Sequence, residues 1–235
     1  MLDLWQHFDV EIRLRNRIYG GIPKNPNILE PFIRASTGLA DSILSDVVER
    51  TKKETGMDKL SESDMDKLSE FAWTGFKGGN GTGEQLYIEG RQIKAMLKEA
   101  ANVLREIMRI TAFKSKIAER VFLHEEKIYL GTENPDGYDE GPIHAMTPQG
   151  PISAIKRVDY VIKPVLTFTL RCLLAPIKQD AGERDEKGKV IKRNLYPEDY
   201  LPLLFEYAQE NGLGADRSQE KGKFDATVTN AVKSY

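Results

Sequence analysis

An α+β fold, in which two helices cover one face of an antiparallel sheet, is predicted by three features of this 235-residue chain. Phe8, Val10, Ile12 and Leu14 alternate with Asp9, Glu11, Arg13 and Arg15, the period of a strand buried on one side. Ile93, Met96, Leu97, Ala100, Val103, Leu104 and Ile107 recur at helical spacing in "RQIKAMLKEAANVLREIMRI". "ISAIKRVDYVI" and "VLTFTLRCLL", separated by "KP", are dense in Val, Ile, Thr, Phe and Tyr and alternate as strands do.

The remaining elements follow in chain order. After the first strand, the paired glycines and two prolines of "YGGIPKNPN" predict an irregular loop. A short helix is expected from Asn27 to Arg34, and Asp41 caps a second over "SILSDVVERTKKETG", stopped by Gly56. "SESDMDKLSEFAWTGF" reads as a further helix, so residues 38–75 form a helical insertion. "GFKGGNGTGEQ" lacks the Gly-Lys-Ser/Thr ending of a Walker loop and reads as a flexible surface loop. "LYIEG" is a brief strand leading into the long helix, and "RVFLHEEKIYLG" is a strand or hairpin. Residues 132–151 are rich in turn formers and belong to a surface excursion, while 177–195 is a charged hairpin extension. "YPEDYLPLLFEYAQENG" is a helix with Leu201, Leu204, Phe205 and Ala208 on its apolar face and Gly212 at its end. The strand "KFDATV" closes the chain. Strand, excursion, helix, two strands, helix, strand is the order of the ferredoxin-like split β-α-β unit, the architecture of RRM-type RNA binders. Residues 1–235 are read as one such domain.

The totals exclude several functions. With 34 Lys and Arg against 36 Asp and Glu, the net charge of −2 argues against binding nucleic acid by bulk charge, while a segregated basic face stays open. Cys172, the one cysteine, excludes an intrachain disulfide and a cysteine zinc site. "MLDLWQHFDVEIRLR" has no signal-peptide pattern, and no apolar run approaches the roughly eighteen residues of a membrane span, so an intracellular, cytoplasmic protein without membrane contact is expected. His7, His124 and His144 show no i, i+4 pairing, and Asp136, Asp139 and Glu140 lack the calcium-loop pattern; they read as surface histidines and a solvated turn. No metal or cofactor is expected. Tyr19, Trp73, Phe76 and Tyr138 lie on or near loops, where they either stack on bases or pack against the insertion. Arg13, Arg15 and Arg17 either project together toward RNA or form a solvated face with Asp9 and Glu11.

One stretch bears more directly on function. "NGLGADRSQEKGKFDATV", residues 211–228, mixes Gly212, Gly214 and Gly222 with Arg217, Ser218, Lys221 and Lys223. It is either a helix stop with a surface turn or a backbone cradle for phosphate, since glycine lets N–H groups approach an anion closely. Its place, between the second helix and the last strand, resembles the glycine-rich loop of the RAMP superfamily, the RNA-binding proteins of CRISPR systems. "YGGIPKNPNIL" is similar to the Gly-Gly loop after the first strand of the guide-RNA backbone subunits. "LYIEGRQIKAML" is similar to their Tyr-Ile-Pro-Gly-Ser-Ser-Leu-Lys-Gly stretch, with Glu89 for the proline and Arg91 and Gln92 for the serines. Together these segments cover about a fifth of the chain.

The resemblance implies non-catalytic, sequence-independent binding of a guide-like single-stranded RNA, with CRISPR-type subunits or copies of the chain as partners. It implies a thumb-like projection at 112–151 and RNA contacts at Lys24, Arg91, Lys94, Gly212, Gly214, Arg217, Ser218, Lys221 and Lys223, beside the three strand arginines. Where target-cutting relatives carry an aspartate in the first-strand loop, this chain has Ile22, Pro23 and Lys24, which argues against cleavage. Two other readings stand beside it: a scaffold of the same fold without RNA binding, such as a viral mimic or cap of a CRISPR complex, and a metal-independent endoribonuclease using His7 or His144.

Overall fold

The computed structural model describes residues 4–37, 41–59, 72–79, 82–147 and 150–230. In chain order the elements are β1 (Trp5–Leu14), β2 (Arg17–Tyr19), β3 (Ile22–Pro23), α1 (Pro26–Thr37), α2 (Asp41–Glu54), β4 (Ala72–Gly75) and β5 (Tyr87–Glu89). Then come α3 (Gly90–Leu104), α4 (Phe113–Arg120), β6 (Val121–Leu123), β7 (Lys127–Tyr129), β8 (Gly137–Thr147), β9 (Gly150–Ile162) and β10 (Val165–Leu173). The chain continues through β11 (Ile177–Arg184), β12 (Val190–Leu195), α5 (Pro197–Asn211) and β13 (Phe224–Asn230).

The first sheet has the order β13-β1-β10-β6, antiparallel throughout. Two β-α-β crossings, β1-α3-β6 and β10-α5-β13, build it, so the fold is ferredoxin-like α+β. The period of two in β1 is explained by its neighbours. Phe8, Val10, Ile12 and Leu14 face Leu170, Phe168, Leu166 and Phe224 across the ladders, and all are buried under the helices. From α3 come Ile93, Met96, Leu97 and Ala100; from α5 come Tyr200, Leu201, Leu204 and Phe205. Each Leu, Ile, Phe or Met among them, taken fully from water, contributes about 1.5–3 kcal/mol.

A second sheet, β2-β9-β4-β3 with β8 along the other edge of β9, is assembled from two insertions. β2, β3 and β4 leave the chain between β1 and α3; β8 and β9 leave it between β6 and β10. α1 and α2 pack on each other around a small core of their own, made by Leu29, Ile33, Leu44, Val48 and Met57.

Four readings of the sequence are corrected. "ISAIKRVDYVI" and "VLTFTLRCLL" do not pair as neighbouring strands of one sheet. β9 joins the second sheet and β10 the first, and the missing core strand is the three-residue β6. The 132–151 excursion is largely strand, because β8 forms a continuous antiparallel ribbon with β9 that satisfies its backbone despite Pro142. Helix α3 ends at Leu104, after which a turn puts Met108 and Ile110 into the core and leaves Ile107 78% exposed. Ala72–Gly75 is a strand paired to β3 and β9 instead of the end of a helix; residues 61–71 of that expected helix lie outside the described residues.

A buried ion pair holds the second sheet. Lys24 Nζ lies 2.5 Å from Asp159 Oδ2, with side chains 12% and 3% exposed, and Trp73 Nε1 donates to Asp159 Oδ1 at 2.7 Å. Removing one partner of such a pair strands the other charge and typically costs about 3–5 kcal/mol. Urea unfolding of Lys24→Met and of Asp159→Leu is therefore expected to show losses of about that size, with the double variant losing clearly less than the sum. A second expectation concerns Cys172, fully buried under the helices, whose thiol burial pushes up to about 12. Ellman's reagent is expected to leave it untouched in the native protein and to titrate one thiol after unfolding.

Candidate nucleic-acid interface

The three segments singled out by resemblance meet at one place. Tyr19–Ile22, after β2, lines a cavity of about 280 Å³ together with Arg91, Gln92 and Met96 from the start of α3, and Leu213–Ala215 and Arg217 from the glycine segment. The first turn of α3 reaches this cavity through Arg91 and Gln92; no side chain caps it, and its first N–H, of Gly90, donates to Glu126 O at 2.8 Å.

The glycines of 211–222 serve close backbone packing. Gly212 ends α5 at φ 83°, its N–H bonded to Ala208 O. Leu213 N donates to Gly222 O at 2.9 Å, which pulls the two ends of the loop together and buries Leu213 in the main core. Gly214, at φ 93°, lies against the backbone of Tyr19, where a Cβ would come within 2.7 Å of Tyr19 O. Ala215 N completes the dock by donating to Tyr19 O at 2.9 Å. Gly20 packs directly on the backbone of Gly75, which leaves no room for a side chain at Gly20, while a Cβ at Gly75 would meet the side chains of Lys24 and Asp159.

The expected cations sit in company. Arg217 pairs with Glu99 at 2.7 Å and Arg91 with Glu89 at 2.6 Å, both at the cavity. Lys221 lies 3.6 Å from Asp139 and 4.2 Å over the Tyr19 ring, and Lys223 reaches Glu220 and Glu210 at 3.4 and 3.5 Å. Arg17 pairs with Asp139 at 2.9 Å and lies over Tyr160 at 4.0 Å. Burial acts to raise the Asp139 pKa, but the Tyr19 hydroxyl, Arg17 and Lys221 outweigh it and hold the carboxyl below its ordinary value. Arg13 pairs with Glu11, Arg15 with Glu210 and Asp225, and Lys24 with Asp159. Lys94 donates to the carbonyls of Ile117, Ala118 and Val121, where its charge complements the C-terminus of α4. Ser218 is exposed on the short turn Arg217–Gln219.

The strand arginines do not project as one row. β1 is an interior strand, Arg15 sits at the bend beyond it, and Arg17 belongs to the second sheet. The open face of the first sheet carries Asp9, Glu11 and Glu125 among Thr167, Thr169, Thr227 and Thr229, a surface that repels phosphate. Asp136, Asp139 and Glu140 are not a solvated turn: Asp136 accepts from Ile162 N, Asp139 holds Arg17, and Glu140 holds Arg157. Of the four loop aromatics, Tyr19 and Phe76 are buried and Trp73 is bonded to Asp159, which leaves Tyr138 as the exposed ring. His7 is half-buried on β1, His124 is exposed, and the side chain of His144 lies outside the described residues. Glu99, Asp139 and Tyr160 are the site residues that the sequence did not reveal, because their partners lie far away in the chain.

No family model and no curated protein matches this chain. Among solved structures, it is similar to a chain in a cryo-EM structure of the Type III-B Cmr-beta bound to cognate target RNA, at 12% identity and a TM-score of 0.44. The match covers 97% of this chain and 62% of that one, so this chain spans less than two thirds of the other's length.

The dock of the glycine segment on Tyr19 gives a direct test. Gly214→Ala adds a Cβ at positive φ against a carbonyl oxygen and is expected to cost about 1–2 kcal/mol in urea unfolding. Gly141→Ala, where a Cβ would meet nothing within 4 Å, is expected to stay within about 0.5 kcal/mol of the parent.

Proposed function

We propose that the protein binds single-stranded RNA without sequence preference and without cleaving it, seating a backbone phosphate in the cavity between Tyr19–Ile22, Arg91–Gln92 and Leu213–Arg217. The observation that carries this reading is the convergence of three distant glycine- and arginine-bearing segments at the first turn of α3. Backbone donors at a helix start favour an anion, and glycines keep the walls close enough for the backbone to reach it. The ion pairs of Arg91 and Arg217 are partly solvated, and such pairs are worth only about 0–1 kcal/mol. A phosphate can therefore take the place of Glu89 or Glu99 at little cost. In this reading the chain is a backbone-type subunit of a CRISPR-like ribonucleoprotein, in contact with copies of itself or with other subunits.

A second reading, a scaffold of the same fold that binds protein, is favoured by one observation: the cations at the cavity already have carboxylate partners within the chain. Fluorescence anisotropy with a labelled single-stranded RNA, titrated from low to moderate salt, separates the two. RNA binding predicts a linear fall of log K with log salt. Arg91→Ala with Arg217→Ala is expected to make that slope shallower by about 1.4, at about 0.7 per lost phosphate contact on a single strand. Absence of binding at low salt would leave the scaffold reading.

A further inference from the structure

The acidic side chains that neutralise cations around the cavity are missing from another face of the molecule. Residues 177–195 hold six basic and four acidic residues, and the acidic ones are largely committed to the ribbon itself. Asp180 Oδ1 accepts from Gly182 N at 2.7 Å, and Asp185 Oδ1 accepts from Lys187 N and Lys189 N at 2.9 and 2.8 Å. Glu183 reaches Arg193 at 3.7 Å. These carboxylates shape the β11–β12 turn and brace its strands. Among the described residues, Lys187, Lys189 and Lys192 have no carboxylate partner, and the same holds for Lys114 and Lys116 on α4.

The two groups belong to one surface. Gln179 Nε2 donates to Met108 O at 2.9 Å and Asp180 N to Arg109 O at 3.1 Å, which fastens β11 to the turn before α4. Arg120, at the end of α4, donates to Ala175 O and Pro176 O at the foot of the ribbon. Lys116 lies close enough to Arg120 and Lys192 for their charges to lower its pKa, after the larger effect of burial. Glu119 on α4 and Glu186 at the ribbon's turn lie on the same face without an ion pair to these lysines among the described residues, and a face on which cations outnumber carboxylates is held at an electrostatic cost that an external anion relieves.

We infer that α4 and the β11–β12 ribbon form a second phosphate track, separate from the cavity, that takes the sugar–phosphate backbone of a single-stranded RNA. The identity of the occupant rests on the RNA-binding reading above; the surface itself rests on the charge distribution. Lysine is depleted from protein–protein interfaces, whereas lysine and arginine supply most contacts to phosphate. Spread along a helix and a projecting ribbon, these cations suit a linear polyanion better than a compact protein epitope.

The test is the salt dependence of RNA binding by the full chain carrying Lys114→Gln, Lys116→Gln and Lys192→Gln. Three lost contacts on a single strand should make the slope of log K against log salt shallower by about 2. The matching Lys→Arg triple variant should keep the parent slope, and both should give the parent's circular dichroism and unfolding midpoint. An unchanged slope in the Gln triple, with a shallower slope in the Arg91→Ala, Arg217→Ala variant, overturns the track and leaves the cavity reading intact. Failure of the parent protein to bind RNA at low salt overturns both. Two other results overturn RNA as the occupant: binding of heparin but not RNA by the parent, lost in the Gln triple, or a change in sedimentation of the Gln triple without a change in RNA slope. The last would mean that the face meets an acidic surface of a second copy.

Discussion

The architecture depends on a kinked two-stranded ribbon that runs through both sheets. β1 and β2 are successive parts of one strand, β9 and β10 of another, and β1 pairs with β10 as β2 pairs with β9. At the kink, Lys163 takes a left-handed φ of 47°, its N–H donates to Asn16 O at 2.6 Å, and Leu14 N donates to Pro164 O at 3.2 Å. Arg15 N meanwhile donates to Lys223 O at 3.0 Å, which fixes where β13 begins. A bulky residue in that region is strained, so the ladders on either side must over-determine it. The kink is what carries Tyr19–Ile22 off the first sheet and sets them over the end of α5. Without it the glycine segment would have no backbone to dock on.

Given that crossing, the second sheet is held by contacts that tolerate few substitutions. Gly20 on Gly75 and Gly214 on Tyr19 are backbone-to-backbone approaches, and the Lys24–Asp159–Trp73 cluster supplies a buried polar anchor between β9, β4 and the loop after β3. These features are rigid for a shared reason: none can open without exposing an unpaired charge or separating paired backbone. The wall of the cavity is therefore held in place where Gly20, Gly75 and Gly214 bring main chain against main chain.

How much of this is legible in the sequence follows from the range of each signal. β1, β10 and α5 are read from local periodicity because their apolar faces are regular. β6 lies within a segment read as a strand or hairpin, but its place in the first sheet is missed because three residues carry no period and only Val121 is buried. β8 is misread because Asp136, Gly137, Gly141 and Pro142 are turn formers, while the ladder that makes them a strand comes from β9. α3 is extended too far because Ile107 continues its pattern although the helix ends at Leu104. The segments of the cavity are legible by their glycines; its electrostatics are not. Arg17 and Asp139 are separated by 122 residues and Arg217 and Glu99 by 118, and no local pattern reports such a pairing.

A net charge of −2 thus hides three different surfaces. The open face of the first sheet is acidic, the cavity side is neutralised pair by pair, and the face of α4 and the ribbon is basic. The pairs themselves divide by whether they can exchange partners. Lys24 and Asp159 are almost out of water, so drawing either away leaves the other as an uncompensated buried charge, at a cost of about 3–5 kcal/mol. Arg91 is solvent-exposed, and Glu89 retains Lys77 at 3.2 Å when Arg91 leaves it. Arg217 and Glu99 are both about 40% exposed and lose little by separating. The cations that a phosphate can recruit are therefore those at the cavity rim, while the buried lysine holds the wall behind them. In the proposed reading, this division of labour reconciles a near-neutral chain with a site for a polyanion: the carboxylates that hold the rim arginines in the free protein would yield them to a phosphate.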